Sequence, residues 1–181
     1  GISNVKDIFV PCIGTTATKM HEILKNKLGE EFDSYAFVKE ASALFQRRED
    51  NGEMPVKPGI PELLAALKNA GVKLGVASST RQARVEEILK NKGLIEYFDM
   101  VLGGDVLKKS KPEPDIYLLA CERLNIDPTE AWAIEDSYNG VRSAYSAKMS
   151  VVMIPDLLPP TDEMREKATI IANSPIELIE M

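Results

Sequence analysis

Apolar residues recur at two different spacings along the chain, and the change of spacing divides it into two parts. Up to about residue 54 the apolar positions follow a helical spacing only. Two stripes carry this pattern: Met20, Ile23, Leu24 and Leu28, then Tyr35, Val38, Ala41, Leu44 and Phe45. Residues 49–59 concentrate charge, Pro and Gly, as a hinge does. We therefore predict a small helical subdomain at 1–57 and a second unit at 58–181.

From residue 58 onward, short apolar runs alternate with amphipathic segments. The predicted strands lie at 72–77, 99–102, 131–134, 150–154 and 168–172. Predicted helices alternate with them: one before the first strand, through 63–67, and three between strands, through 85–89, 116–124 and 138–147. Strands that alternate with helices indicate right-handed crossovers and a parallel sheet. The prediction is an α/β fold with helices on both faces of that sheet, in which Trp132 fills the core.

Composition excludes several classes of protein. The 181 residues are 44% hydrophobic with a formal net charge of −6, so a globular chain is expected and a nucleic-acid footprint is not. No apolar run approaches the roughly 18 residues of a membrane span, and no signal peptide is recognisable. Cys12 and Cys121 lie far apart in the sequence, which favours reduced thiols and a cytoplasmic location over a disulfide.

Two adjacent carboxylates, Glu135 and Asp136, end the apolar run that begins at residue 131. In open α/β sheets, ligands bind at the carboxyl ends of such strands. Either residue could cap the next helix, because acidic side chains are favoured at helix N-termini. Both cannot serve one cap, however, and carboxylates placed at the end of such a strand commonly hold a metal ion. We therefore predict that the pair binds a metal.

Hydroxyl and lysine side chains follow the same pattern upstream. Ser78, Ser79 and Thr80 come directly after the predicted strand 72–77 and before a predicted helix. Hydroxyls and free amides at a helix N-terminus suit phosphate, although Ser78 could simply be the helix cap. Lys111 precedes Pro112, which restricts the lysine backbone and fixes its charge at a helix entrance. These residues predict an anion site.

The ordered segments VASST (76–80), SKPEPD (110–115) and IEDSYNG (134–140) resemble motifs two, three and four of the haloacid dehalogenase superfamily, in its phosphatase and β-phosphoglucomutase-like branch. The resemblance implies a Rossmann-like core with a small helical cap. It also implies a catalytic role and phosphate contact for Ser78 and Lys111, and a phosphate contact for the Ser79 amide. Glu135 and Asp136 would bind Mg²⁺ directly or through water, and Thr80 and Arg81 would reach the rest of the substrate.

Two departures from this pattern carry expectations of their own. The family's first motif, Asp-x-Asp-Gly, supplies the nucleophile on a central strand, and no Asp-x-Asp occurs in these residues. We therefore expect an N-terminal segment to be missing, the chain alone to be inactive, and the strand to come from an omitted or clipped segment or a second copy. The second departure is Lys148, which stands where the family often has a glycine. A left-handed conformation there would cost about 1 kcal/mol.

The leading functional hypothesis is a Mg²⁺-dependent phosphatase of a small phosphorylated sugar or polyol, acting through a phosphoaspartyl intermediate. A phosphomutase is the alternative within the family, and it would be expected to carry a cap arginine for a second phosphate. The loop after Gly14 has no arginine, although Lys19 could substitute. A second alternative, from another class, is a non-catalytic, truncated module. No nucleic-acid or membrane partner is expected.

Overall fold

The computed structural model describes residues 4–181, and its first part is helical. Helices α1 (Val5–Phe9), α2 (Ala17–Leu28) and α3 (Ser34–Asp50) precede the first strand, with a 3-10 turn at Val10–Cys12. Leu24 of the first predicted stripe is fully buried, in a cluster with Ile8 and Val38. The division between residues 57 and 58 stays a prediction, because the packing of α1–α3 does not by itself set a boundary.

The second predicted stripe lies on a helix, as its spacing predicts, but most of it is exposed. On α3 only Val38 is buried, whereas Tyr35, Leu44 and Phe45 are 68%, 53% and 50% exposed and Ala41 is exposed as well. The small cluster around Leu24 reaches only the first turns of α3. Within residues 4–181 no element covers the apolar side chains beyond it, so the helical period identified the helix without identifying a buried face.

The remaining elements alternate as the sequence predicts. The helices are α4 (Ile60–Asn69), α5 (Gln82–Asn91), α6 (Asp115–Leu124), α7 (Tyr138–Ser146) and α8 (Asp162–Lys167). The strands are β1 (Gly75–Ala77), β2 (Met100–Leu102), β3 (Trp132–Glu135), β4 (Ser150–Met153) and β5 (Ile170–Ile171). Three further 3-10 turns lie at Ile95–Tyr97, Pro128–Glu130 and Ile176–Leu178. This is the predicted α/β order with one additional helix, α8.

The strands form two parallel sheets rather than one. β1 pairs with β2 in register Val76 to Val101, and the second sheet has the order β3-β4-β5 with Ala133 opposite Val151. In the described part of the chain no strand joins β1 to β3. Helix α6 packs on β1 and β2, α7 packs on β3 and β4, and the two helices contact each other. The two sheets are therefore connected through helices and one buried core.

Trp132 is not a core residue, contrary to the prediction. Along β3 the side chains alternate, with Ala133 and Glu135 buried and Trp132 and Ile134 55% and 43% exposed. Because successive side chains of a strand point to opposite faces, a short apolar run need not be buried on both. One face of β3 therefore packs against the core, and the other presents apolar surface.

Lys148 adopts the left-handed conformation that its position predicts, with φ of 69°. Because a side chain with a Cβ is strained there, Lys148→Gly should raise the free energy of unfolding by about 1 kcal/mol. Urea denaturation measures the change. The matched control is Lys148→Ala, which removes the exposed lysine chain but keeps the Cβ and should change stability by no more than about 0.5 kcal/mol. Equal stabilisation by both substitutions would contradict the conformational explanation.

Both cysteines are buried and free, as the sequence predicts. Burial raises the pKa of the Cys12 thiol, and burial followed by the nearby Asp127 charge raises that of Cys121. The thiol forms are therefore favoured.

Among residues 4–181 no helix combines the length and the apolar character that crossing a bilayer requires.

Candidate active site

The carboxyl ends of β1 and β3 meet at the side chain of Lys111. Its Nζ donates to the Ala77 carbonyl oxygen at 3.0 Å and lies 2.5 Å from Glu135 Oε1. Ala77 ends β1 and Glu135 ends β3, so the next residues, Ser78 and Asp136, lie at the same edge. The structure thus brings the predicted residues together although tens of positions separate them in the sequence.

The Glu135 carboxylate is buried and held on both oxygens. Oε1 pairs with Lys111 and accepts the hydroxyl of Tyr117, and Oε2 accepts the Ser137 hydroxyl at 3.2 Å. The backbone of Gly140 lies directly against this carboxylate, since a Cβ built at that position would overlap it. The side chains of Lys111 and Glu135 are each only 7% exposed. They form a buried ion pair, which needs such additional hydrogen bonds to offset its desolvation.

Tyr117, on α6, supplies one of those hydrogen bonds. Its ring lies beside Lys111, whose Nζ is 4.8 Å from the ring centroid and 3.4 Å from the hydroxyl oxygen. Burial raises the pKa of Tyr117 well above its usual value, and the charge of Glu135 and the hydrogen bond to it add to this effect. Tyr117 is therefore a neutral hydroxyl donor.

Asp136 differs from its neighbour because it is exposed to solvent. Desolvation by the surrounding protein atoms raises the pKa of Asp136, and the charges of Glu135 and Asp156 raise it further. Lys57 pairs with Asp156 at 3.1 Å and only partly offsets this negative charge. A divalent cation at Asp136 would relieve the repulsion between these carboxylates.

These residues fit a site that is open rather than a complete protein cage. Within residues 4–181 no group of three or more His, Cys, Asp and Glu side chains is placed to hold a metal ion by itself. Mg²⁺ is commonly bound by one or two carboxylates, with water and substrate phosphate oxygens as the other ligands. Asp136 has the chemistry and the exposure for such a site.

The Ser78–Thr80 segment forms a turn rather than the first turn of a helix. The Ser78 N–H donates to the Leu102 carbonyl at 2.9 Å, and its hydroxyl accepts the Thr80 N–H at 3.1 Å. Helix α5 begins only at Gln82, with Arg81 as its N-cap, so the cap interpretation of Ser78 is wrong. Thr80 and Arg81 are exposed.

The loop before α2 lies over this edge and is held through its backbone. Ser79 Oγ donates to the Gly14 carbonyl at 2.6 Å, and Asn139 Nδ2 donates to the Ile13 carbonyl at 2.8 Å. Gly14 has φ of 76°, and a Cβ there would lie 2.6 Å from Ser137 Oγ. The helical part of the chain therefore reaches the residues at the ends of both β1 and β3.

Lys19 lies in the first turn of α2. It pairs with Glu22 at 2.8 Å on the exposed surface of α2, where both side chains are about half exposed. The lysine that could substitute for a cap arginine is therefore engaged in a surface ion pair.

Four residues at the site were given no role from the sequence: Tyr117, and Ser137, Asn139 and Gly140 within the segment IEDSYNG. Tyr117 occupies an apolar face of a predicted helix, which is typical of core packing. Asn139 and Gly140 look like turn chemistry, yet α7 begins at Tyr138 and includes both. Their roles depend on contacts between residues far apart in the chain.

The chain is similar in sequence to known proteins. A family model for haloacid dehalogenase-like hydrolases matches residues 4–154. The chain is 44% identical over 90 residues to the phosphorylated carbohydrates phosphatase of Thermotoga maritima, covering 50% of this chain and 42% of that protein. It is 41% identical over 95 residues to β-phosphoglucomutase of Bacillus subtilis, covering 52% and 41%.

Among solved structures, CbbY from Rhodobacter sphaeroides in complex with phosphate matches with a TM-score of 0.80 and 28% sequence identity. The match covers 97% of this chain and 80% of that one. The fold is therefore that of the family over nearly the whole chain. The sequence matches to the two curated enzymes span less than half of either enzyme.

Proposed function

Because the chain belongs to the haloacid dehalogenase-like hydrolase family, we propose that it is part of a Mg²⁺-dependent phosphatase of small phosphorylated sugars or polyols. The observation that carries this proposal is the buried Lys111–Glu135 pair, which joins the edge after β1 to the edge after β3. The Lys111 charge is fixed beside the Ser78–Thr80 turn, which carries hydroxyl groups, and beside the exposed Asp136 carboxylate. This arrangement suits phosphoryl transfer, in which positioning and charge neutralisation supply most of the catalysis.

The phosphate would be bound by Ser78, Ser79 and Lys111. The Ser79 hydroxyl donates to the Gly14 carbonyl, so the backbone amide of Ser79 would donate to the phosphate instead. The Ser78 hydroxyl would donate to the phosphate as well. The Lys111 ammonium would balance the charge on the phosphoryl oxygens. Thr80 and Arg81, both exposed, would contact the part of the substrate beyond the phosphate.

Asp136 would hold the Mg²⁺, with Glu135 contributing directly or through water. The metal would supply charge neutralisation at the phosphate oxygens when bound. Glu135 already receives three protein donors, so its negative charge also serves to hold Lys111. Asp136 is the more accessible of the two.

The nucleophile in this proposal is an aspartate from outside these 181 residues, and the chain alone would be inactive. A carboxylate oxygen of that aspartate would attack phosphorus, the ester oxygen would leave and take up a proton, and water would then hydrolyse the phosphoaspartyl group. The free thiols favour a reducing, cytoplasmic location for this chemistry.

The same segment would supply a strand for β1 and β3, each of which has one strand partner in residues 4–181. Each unpaired buried backbone group costs about 1–3 kcal/mol, so pairing these edges should stabilise the fold strongly. The strand would come from a segment outside these residues, a clipped peptide that stays bound, or a second copy. Native mass spectrometry should detect one of the three, and a cooperatively folded monomer of 181 residues would contradict this proposal.

Substitutions at the charged residues test the function. In the full-length protein, Asp136→Ala should abolish Mg²⁺-dependent release of phosphate from a panel of sugar and polyol phosphates. Lys111→Ala should lower turnover by about 100-fold or more, because it removes a charge opposite the phosphoryl group. Calorimetric titration with Mg²⁺ separates the two, since Lys111→Ala should retain the ion and Asp136→Ala should not. Undiminished turnover in either variant would count against these roles.

A phosphomutase is the second candidate, favoured by the similarity to β-phosphoglucomutase. The same assays distinguish the two reactions, because a phosphatase releases inorganic phosphate and a mutase returns an isomeric sugar phosphate. A non-catalytic module would bind inorganic phosphate in the full-length protein and turn over none of the panel.

A further inference from the structure

Three polar groups meet in the core beneath the site, and each contacts the other two. Lys111 Nζ lies 2.5 Å from Glu135 Oε1 and 3.4 Å from the Tyr117 hydroxyl, and that hydroxyl hydrogen-bonds the same Oε1. All three residues are buried, with exposures of 6%, 8% and 7% for Lys111, Glu135 and Tyr117. Tyr117 is therefore shielded from solvent together with the ion pair that it contacts.

A lysine needs such surroundings to hold its charge in one place. Its ammonium has three donors on a flexible four-carbon chain. Here the three neighbouring oxygens are the Ala77 carbonyl, Glu135 Oε1 and the Tyr117 hydroxyl. The first belongs to the backbone of β1 and is fixed with the strand. The other two are side-chain oxygens, so the position of the ammonium depends on what fixes them.

The carboxylate of Glu135 needs fixing as well, because the last torsion of a glutamate side chain is broad. Ser137 holds Oε2, and Tyr117 holds Oε1. The tyrosine ring is packed in the core cluster around Ile116 and Ala120, so its hydroxyl is carried on a rigid element. The hydroxyl thereby sets the orientation of the carboxylate and supplies the third contact to the lysine.

We propose that Tyr117 is a positioning residue for phosphoryl transfer, whose hydroxyl fixes the Glu135 carboxylate and, with it, the Lys111 ammonium. This inference rests on the proposed function and deepens it. Tyr117 acts through Lys111 and Glu135 and does not contact the substrate. Its contribution should therefore concern the transition state, where small displacements of a charge matter, more than the binding of the ground state.

The test is Tyr117→Phe in the full-length protein, which removes the hydroxyl and keeps the ring. We expect kcat for sugar phosphates to fall by about 10- to 100-fold while KM stays within about twofold. The matched control is Tyr145→Phe, on the exposed face of α7, which should leave both constants unchanged. An unchanged kcat in Tyr117→Phe, or a fall in kcat matched by an equal rise in KM, would overturn the proposal.

A second measurement follows the lysine directly and needs no turnover. With ¹⁵N-labelled lysine, the ammonium of Lys111 should give an NMR signal protected from solvent exchange, with a contact to the Tyr117 hydroxyl proton in the wild-type protein. Tyr117→Phe should lose that protection. Absence of the contact in the wild type, or a signal unaffected by the substitution, would overturn the positioning role even if the variant were too unstable to assay. A wild-type protein that binds phosphate without turnover would instead refute the proposed function, with the NMR result still deciding whether Tyr117 fixes Lys111.

Discussion

Replacing Glu135 by glutamine is expected to lower the free energy of unfolding by about 3–5 kcal/mol, since it leaves the charge of Lys111 buried without a partner. The side chains of this pair are each 7% exposed, so water cannot compensate for the lost carboxylate. The neutral amide keeps nearly the same shape, which separates the effect of charge from that of packing. Urea denaturation at neutral pH provides the measurement.

A matched control is available at Glu163, which pairs with Arg142 at 2.5 Å but is 39% exposed. Glu163→Gln should cost less than about 1 kcal/mol, as exposed ion pairs do. The double substitution Lys111→Met with Glu135→Leu should recover much of the stability lost in Glu135→Gln, because it removes both charges together. Equal losses at Glu135 and Glu163 would show that the pair is not buried in solution.

Gly140→Ala is expected to destabilise the protein by about 1–3 kcal/mol, although alanine is favoured over glycine in a helix. The added Cβ would overlap the Glu135 carboxylate, which must then move and disturb its contacts to Lys111 and Ser137. In the full-length protein the substitution should also lower turnover. Thermal unfolding and a phosphate-release assay follow the two effects.

The control on the same helix is Ser146→Ala, at the exposed end of α7. Here no carboxylate opposes the new side chain, so helix propensity should add a few tenths of a kcal/mol to stability. If both substitutions stabilise the protein, then the carboxylate of Glu135 does not lie against α7 as the structure places it.

The order of helices and strands in the second part was predictable because each element carries its own period of apolar residues. The exact start of β1 was not. The predicted strand begins at residue 72, but the Asp99 side chain accepts the Leu74 N–H at 2.8 Å, so the ladder with β2 begins at Gly75. Helix α8 was missed because it is short and its one fully buried residue, Met164, gives no period.

The position of Ser78, Glu135 and Asp136 was predictable because each lies at the end of a predicted strand, and their roles in binding phosphate and metal stay a prediction. The placement of Lys111 at the same edge was predicted from its neighbour Pro112 and from the family resemblance, and the structure brings it there. Tyr117 and Gly140 could not be predicted in this way. Both residues matter because they contact the Glu135 carboxylate in the folded protein. The sequence shows a tyrosine and a glycine on helix faces, but it does not show whether a carboxylate or an apolar group packs against them.

The loop before α2 is held in place through its main chain, because the carbonyls of Ile13 and Gly14 accept hydrogen bonds. Every residue type has that carbonyl, so most side chains of the loop are free to vary without loss of its anchorage. Gly14 is constrained by its positive φ and its contact with Ser137, and Cys12 is constrained by its burial. Most other side chains of this loop could therefore be exchanged one at a time in evolution, while the backbone contacts that hold the loop at the ends of β1 and β3 stay unchanged.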